Sequence, residues 1–129
     1  MSADGNDDIV RAFCAAWEQR DLEAILAMLS ETIRYQNVPA PVMVGRDDVR
    51  AFIEPIVTGS TAIEFIVTAL AASADGAVLT ERIDKIHYGE RSVVIPLMGI
   101  FRLVDGMIDE WRDYADHESV ASQFAALQG

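Results

Sequence analysis

An arginine and an aspartate occupy strand positions that their neighbours mark as inward. In the segment AVLTERIDKIHY, a two-residue period places Arg82 and Asp84 on one face with the apolar Val78 and Ile86. Burying a charge costs several kcal/mol unless the charged group is paired and hydrogen-bonded. The two residues therefore either satisfy each other as a structural ion pair or belong to an internal site.

Two further segments add polar side chains to inward faces. In MIDEWRDYA, the same period places Met107, Trp111 and Asp113 on one face and Ile108 on the other. The short strand TIRYQN directs its odd-numbered residues inward. Together the three segments predict an inward polar set: Tyr35, Asn37, Arg82, Asp84 and Asp113.

An arginine between two carboxylates can keep them close while one of them holds a proton. Like charges a few ångströms apart move their pKa values in opposite directions, and burial raises both. One aspartate can then act as an acid and the other as a base, while Tyr35 and Asn37 hold a water near the base. An apolar cavity around such a site suits an apolar substrate with one strained oxygen, and an epoxide is such a substrate.

Each member of the set also has a purely structural explanation. Arg82 and Asp84 can form a buried ion pair, and Tyr35 can be a core tyrosine whose hydroxyl reaches the surface. Asn37 can serve the turn before the loop VPAPVMVG, and a one-residue slip in register would turn Asp113 outward. Five inward polar groups are a costly way to stabilise one small fold, so their joint occurrence favours a functional site.

The remaining residues with chemical potential are weaker candidates. His87 lies on the mixed face of its strand, and His117 lies in the acidic helix start DHES. Cys14 belongs to an apolar helical stripe, which argues against a nucleophile. Because no His, Cys and Asp cluster has metal-ligand spacing and no glycine-rich phosphate loop occurs, we expect neither a metal nor a cofactor.

Composition and charge limit the class of partner. The chain has 129 residues and a formal net charge of -11, which disfavours nucleic acid and anionic membranes as partners. The apolar content of 51% leaves room for an internal pocket or an oligomer interface. A single cysteine and the lack of a signal peptide or membrane span lead us to expect a cytoplasmic protein, with one domain over residues 1–129.

Helices are predicted at both ends of the chain and strands between them. We expect residues 1–7 to form a loose leader with Asp7 or Asp8 as a helix cap, followed by helices before and after Arg20 and a third in GRDDVRAFIEPIV. AIEFIVTALAA, AVLTERIDKIHY, SVVIPLMGIFRLV and MIDEWRDYA read as strands, with Pro96 indicating an edge or a bulge. With DHESVASQFAALQG as a last helix, the order predicts an α+β fold whose helices lie on one side of a curved, mainly antiparallel sheet.

The polar motifs occur in the order and approximate spacing of a known family. YQN at 35–37, TERID at 80–84 and WRDY at 111–114, together with the GRD and LMGIF segments, resemble the limonene-1,2-epoxide hydrolase family. The likeness runs from about Ile9 to Phe124. It implies the cone fold of nuclear transport factor 2-like proteins, in which a curved mixed sheet surrounds a pocket, with about three N-terminal helices and one C-terminal helix.

The resemblance implies an epoxide hydrolase without a cofactor or a covalent intermediate. It makes Asp113 the base, Asp84 the acid and Arg82 the bridge between them, with Tyr35 and Asn37 holding the water. The product would be a vicinal diol formed in one step. Alternatives within the same fold are a ketosteroid-isomerase-like or polyketide-cyclase-like enzyme and a non-catalytic module that binds apolar ligands.

We expect an apolar pocket and few partners. The predicted partners are a small apolar epoxide and water, and the exposed face of a curved sheet together with the resemblance favours a homodimer. Ala115 stands where the family's best-known member has an aromatic residue, which indicates a wider pocket at that point. The expected substrate-binding walls are Trp17, Ile56, Ile86, Ile95, Leu97 and Trp111.

Overall fold

Helices and strands alternate in the first half of the described chain, and a run of strands with a final helix makes up the second half. The structure is a computed structural model that describes residues 3–128. No helix in this range is both long and apolar enough to cross a membrane. The elements follow in the order α1 (Ala3–Glu18), α2 (Leu22–Ala27), β1 (Leu29–Val38), β2 (Met43–Val44), α3 (Arg46–Gly59), β3 (Ala62–Ala72), β4 (Val78–Tyr88), β5 (Arg91–Val104), β6 (Met107–Ala115) and α4 (His117–Ala126).

The strands form one sheet in the order β2-β1-β6-β5-β4-β3. β1 and β6 run parallel, and the other neighbouring strands run antiparallel, so the curved sheet is mixed and mainly antiparallel. Helix α1 packs against β3, α3 packs against β1, and α4 packs against β5. The predicted α+β class and cone fold are therefore confirmed. Fully buried side chains of the core include Val10, Phe13, Ile25, Ile33, Ile53, Phe101 and Ile108.

Helix α1 begins earlier than the sequence predicted. It starts at Ala3, so residues 3–7 of the expected loose leader and the two cap candidates, Asp7 and Asp8, form its first turns instead. The first two residues of the chain lie outside the described part. The Asn6 side chain is buried, and its amide donates a hydrogen bond of 3.0 Å to the carbonyl oxygen of Gly76 in the turn between β3 and β4. This tertiary contact ties the first helical turn to the sheet.

A β-bulge in β6 changes the face to which Ile108 belongs. Two adjacent residues of β5 pair with Ile108 and Glu110, so Asp109 lies between them without a partner in β5. The extra residue turns Ile108 to the same inward side as Trp111, and Ile108 is fully buried. The prediction that placed Ile108 on the opposite face is therefore wrong, because strict alternation fails across a bulge.

Pro96 lies where β5 has a strand on one side only. β5 pairs with β4 from Arg91 to Phe101 but with β6 only from Leu97 onward, so the predicted edge character at Pro96 is confirmed. On the open side the Gln123 side chain of α4 replaces a strand. Its Nε2 donates to the carbonyl oxygen of Val94 at 2.8 Å, and its Oε1 accepts from the Val94 amide at 2.7 Å. These hydrogen bonds attach α4 beside the open end of the sheet.

Candidate active site

Arg82 lies between Asp84 and Asp113 and hydrogen-bonds to both. Its Nε and Nη2 donate to Oδ1 and Oδ2 of Asp84 at 3.1 and 3.0 Å, and the same Nη2 donates to Oδ2 of Asp113 at 3.1 Å. Its Nη1 donates to Oγ1 of Thr80 at 3.0 Å. The guanidinium and both carboxylates are buried. The structure thus joins in one cluster the charged residues that the sequence placed on two strands.

Gly99 makes this cluster geometrically feasible. β5 lies between β4 and β6, and in its register Gly99 is opposite both Thr80 and Asp113. Neighbouring strands lie about 4.8 Å apart, so the Arg82 side chain must cross β5 to reach Asp113. A Cβ on Gly99 would lie 2.5 Å from Oδ1 of Asp113 and 2.6 Å from Nη1 of Arg82. Only glycine leaves room for this crossing.

Tyr35 and Asn37 lie on β1, the parallel neighbour of β6. In the register of β1 and β6, Tyr35 pairs with Trp111 and Asn37 pairs with Asp113. The rings of Tyr35 and Trp111 stack at a centroid distance of 3.8 Å, and Nδ2 of Asn37 donates to the Tyr35 hydroxyl at 3.1 Å. The hydroxyl and the amide are therefore joined on the strand next to Asp113.

An internal cavity of about 500 Å³ meets this polar cluster. Its polar lining includes both aspartates together with Tyr35 and Asn37, whereas Arg82 lies behind the carboxylates and does not line it. All six residues predicted as walls line the cavity: Trp17, Ile56, Ile86, Ile95, Leu97 and Trp111. The lining also includes aromatic and aliphatic residues that the sequence analysis did not identify as walls, such as Met43, Phe52, Phe65 and Phe124.

A second hollow, of about 640 Å³, lies on the outer face of the sheet. Its lining includes Glu81, Ile83, Pro96, Met98 and Tyr114. Arg82 also lines it, but neither aspartate of the cluster does. The internal cavity is therefore the candidate active site.

Burial raises the pKa of both aspartates in the cluster. The pKa of Asp84 rises to about 6 and that of Asp113 is also raised, in both cases chiefly because burial disfavours the charged carboxylate. The Arg82 charge opposes the rise at both carboxylates. A buried site with one guanidinium and two carboxylates is electrically neutral when the carboxylates share a single proton. The site can therefore hold an acid and a base side by side.

Of the other residues considered for chemistry, Cys14 and His87 lie away from the cavity, whereas His117 lies at it. Burial raises the pKa of the Cys14 thiol to about 11, which keeps it protonated. His87 lies outside the cavity, with Nε2 2.6 Å from a Glu64 carboxylate oxygen and Nδ1 2.6 Å from the Ser92 hydroxyl. His117 does line the cavity, at the start of α4. Among residues 5–128, whose side chains the structure describes, no three His, Cys, Asp or Glu side chains are grouped so that they could hold a metal ion.

This combination of cone fold and buried arginine-aspartate cluster defines the limonene-1,2-epoxide hydrolase class. The profile of the limonene-1,2-epoxide hydrolase catalytic domain matches residues 5–126. The chain belongs to this family, and the resemblance seen in its motifs is confirmed.

Individual relatives support the same placement. Epoxide hydrolase EphG of Mycobacterium tuberculosis (strain ATCC 25618 / H37Rv) is 32% identical over 108 residues, which are 83% of this chain and 70% of EphG. The structure of a limonene-epoxide-hydrolase-like epoxide hydrolase from M. tuberculosis has a TM-score of 0.78 at 28% identity, covering 95% of this chain and 94% of that one. SalBIII, an epoxide hydrolase/cyclase-like enzyme of pyran ring formation in the polyether salinomycin, has a TM-score of 0.79 and coverages of 88% and 92%. Its 22% identity supports the shared fold alone.

Proposed function

We propose that this protein is an epoxide hydrolase that adds water to an apolar epoxide and releases a vicinal diol. The observation that carries the proposal is the pair of buried aspartates held by one arginine at the polar end of an apolar cavity. An epoxide has an apolar body and one strained oxygen, which matches this division of the cavity. Family membership supports the same reaction.

Asp113 is the proposed base. It pairs across the sheet with Asn37, and the Asn37 amide and Tyr35 hydroxyl offer polar atoms that can hold a water beside its carboxylate. Asp113 removes a proton from this water while the water oxygen attacks an epoxide carbon and the bond from that carbon to the epoxide oxygen breaks. Such general base catalysis contributes about 10²–10⁴-fold to a rate.

Asp84 is the proposed acid. With a pKa raised to about 6, it holds a proton more readily than an exposed aspartate does. It gives that proton to the epoxide oxygen as the ring opens, so no free alkoxide forms. The diol then carries one hydroxyl from water and one from the epoxide oxygen. Asp113 is left protonated and Asp84 ionised, and proton exchange restores the starting state.

Arg82 keeps the two carboxylates together without touching the substrate. It does not line the cavity. Its Nε and Nη2 both donate to Asp84, and Nη2 also donates to Asp113. Because of its positive charge, the buried site is electrically neutral when the two carboxylates carry only one proton between them. We therefore assign Arg82 a positioning and electrostatic role.

Hydrolysis in oxygen-18 water tests the reaction and its mechanism together. We expect a panel of cyclic and aliphatic epoxides to yield a diol from at least one member. With enzyme in excess, the first turnover should already place one oxygen-18 atom in the diol, because water attacks directly. A covalent carboxylate intermediate would instead give unlabelled diol in that first turnover. No diol from any epoxide would contradict the proposal.

The alternatives predict other outcomes in the same experiment. An isomerase or cyclase would convert a carbonyl substrate or an epoxide without incorporating oxygen from water. A binding module would retain an apolar ligand without changing it. Proton transfer next to a carbonyl uses one carboxylate base and an oxyanion donor, so an isomerase or cyclase does not need two carboxylates bridged by an arginine. A binding module does not need them either, because it carries out no proton transfer.

Gly99→Ala should impair both catalysis and folding. Its new methyl group would overlap the Asp113 carboxylate and the Arg82 guanidinium, and both groups are held by buried hydrogen bonds. We expect turnover to fall about 10²-fold, as for a misplacement of about 1 Å, and the unfolding free energy to fall by about 1–3 kcal/mol. Steady-state kinetics and urea unfolding measure the two effects.

Gly59→Ala is the matched control for this substitution. A Cβ at Gly59 would meet no atom within 4 Å, and this position also lies in a regular element. The control should keep full turnover. If Gly99→Ala were as active as Gly59→Ala, Gly99 would not be needed to accommodate the cluster.

A further inference from the structure

We propose that Trp111 is a positioning residue for the base: its indole N–H holds Oδ1 of Asp113 and selects Asp113 as the ionised member of the carboxylate pair. The inference rests on the proposed function, in which Asp113 is the base. Nε1 of Trp111 donates to Oδ1 of Asp113 at 2.9 Å, and both side chains are buried. Two residues apart on β6, they lie on the same face of the strand.

The Trp111 ring has little freedom to move its N–H away. It stacks against Tyr35 with planes 12° apart and against Phe101 with planes 17° apart, at centroid distances of 3.8 and 5.9 Å. The Phe13 ring lies nearly perpendicular to it, at a centroid distance of 5.1 Å. A ring confined in this way presents its donor to Oδ1 before any substrate arrives, which is the preorganisation that a catalytic site requires.

Without this donor, the proton that the two aspartates share would reside on Asp113 more than on Asp84. Asp84 accepts both of its hydrogen bonds from the cationic Arg82, whereas Asp113 accepts only one from it. Asp113 alone would then be the less stabilised anion of the pair. An indole N–H can only donate, so it stabilises an ionised oxygen and cannot accept from a protonated carboxyl. The Trp111 N–H therefore compensates the Asp113 carboxylate for accepting fewer hydrogen bonds from Arg82 than Asp84 does.

Several other groups that titrate or carry charge surround Asp113. Arg82 and Asp84 face it from β4, and Tyr35 faces it from β1. Burial raises the pKa of the Tyr35 hydroxyl and that of the Cys14 thiol on α1, so both stay neutral through the pH range of interest. On the cavity wall, α4 adds the imidazole of His117. Removing only the Trp111 donor leaves all of these groups in place.

Trp111→Phe removes the donor and keeps an aromatic ring in the stack. We expect the pKa of Asp113 to rise and that of Asp84 to fall, because the shared proton moves toward Asp113. The acid limb of kcat/KM should shift to higher pH, with a loss of about 10-fold near pH 6 that shrinks toward pH 9. Carbon-13 NMR titration of the aspartate carboxyl groups reads the pKa values directly, with Asp113→Asn to assign the signals.

Trp17→Phe is the matched control for the pKa measurement. Trp17 lines the same cavity and is equally buried, but its Nε1 has no hydrogen-bond partner in the described part of the chain. We expect the Asp113 pKa in this control to equal that of the unmodified protein. A benzothienylalanine at position 111, which replaces the indole N–H with sulfur and keeps the ring shape, serves if the phenylalanine variant fails to fold.

The two readouts separate this inference from the proposed function. If the unmodified protein hydrolyses no epoxide, the function fails, but the NMR titration still reports whether Trp111 controls Asp113. If the unmodified protein is active and the Asp113 pKa is the same with and without the N–H, the inference is overturned and the hydrolase proposal stands.

Discussion

Asp113→Asn and Asp84→Asn should each reduce epoxide turnover by about 10²–10⁴-fold while the protein stays folded. An asparagine amide has nearly the shape of the carboxylate but neither removes a proton from water nor supplies one to an epoxide oxygen. Each substitution also removes a buried carboxylate whose pKa is raised, so the folded state loses an unfavourable charge along with a hydrogen bond. Catalysis should therefore suffer far more than stability.

The double variant provides a sharper test than either single one. If the two aspartates act as one acid-base unit, Asp84→Asn combined with Asp113→Asn should be scarcely slower than the worse single variant. Independent roles would multiply the two losses. Single-turnover kinetics with saturating epoxide measure the chemical step, and circular dichroism checks the fold.

Asp109→Asn is the matched control for these substitutions. Asp109 lies on the same strand as Asp113, accepts hydrogen bonds from Ser30 and Thr32, and does not line the cavity. The same chemical change should leave turnover close to that of the unmodified protein. Full activity in Asp84→Asn or in Asp113→Asn would reject the acid-base assignment.

The sequence predicted the charged cluster because regular strands obey simple geometry. β4 alternates without interruption, so its two-residue period correctly turned Arg82 and Asp84 inward beside Val78 and Ile86. The last part of β6 is equally regular, and Asp113 is buried as expected. The joint occurrence of the inward polar residues favoured one shared site, and the resemblance to a family then implied a role for each of them.

Features that depend on several strands at once were not visible in the sequence. Gly99 received no role from the sequence, because its role follows from the joint register of β4, β5 and β6. A glycine inside a long strand was the available signal, since such residues often mark close approach of other groups. Ile108 and the start of α1 escaped prediction because a bulge and the contact between Asn6 and Gly76 are tertiary effects.

Arg82→Met should destabilise the protein more strongly than any other single change discussed above, and by an amount that depends on pH. Methionine keeps an apolar stem of similar length but leaves two buried carboxylates without their cation. Breaking a buried charge cluster in this way typically costs about 3–5 kcal/mol. Urea unfolding at about pH 5 and pH 8.5 measures the loss under conditions in which the carboxylates differ in protonation.

The pH dependence of this loss has a definite sign. Arg82 opposes the rise in pKa at both aspartates, so its removal raises both values further. A carboxyl whose pKa is higher in the folded than in the unfolded state binds more protons when folded, and stability then falls as pH rises. The pH range over which stability falls begins near 3.9, the approximate pKa of an aspartate in the unfolded chain. It ends above the raised pKa values of the two aspartates in the folded protein. The variant should be closest to the unmodified protein near pH 5 and furthest from it near pH 8.5.

Two further variants distinguish this explanation from a packing defect. Arg112→Met removes an arginine from a partly exposed pair with Glu110 on the outer face, and its effect should be small and nearly independent of pH. Adding Asp84→Asn and Asp113→Asn to Arg82→Met should remove the pH dependence, because no buried carboxylate then remains in the cluster. An equal loss at both pH values in Arg82→Met would mean that the cavity left by the guanidinium, and not charge, sets the cost. The expected result would show that the arginine which positions the acid and the base is also what makes their burial compatible with folding.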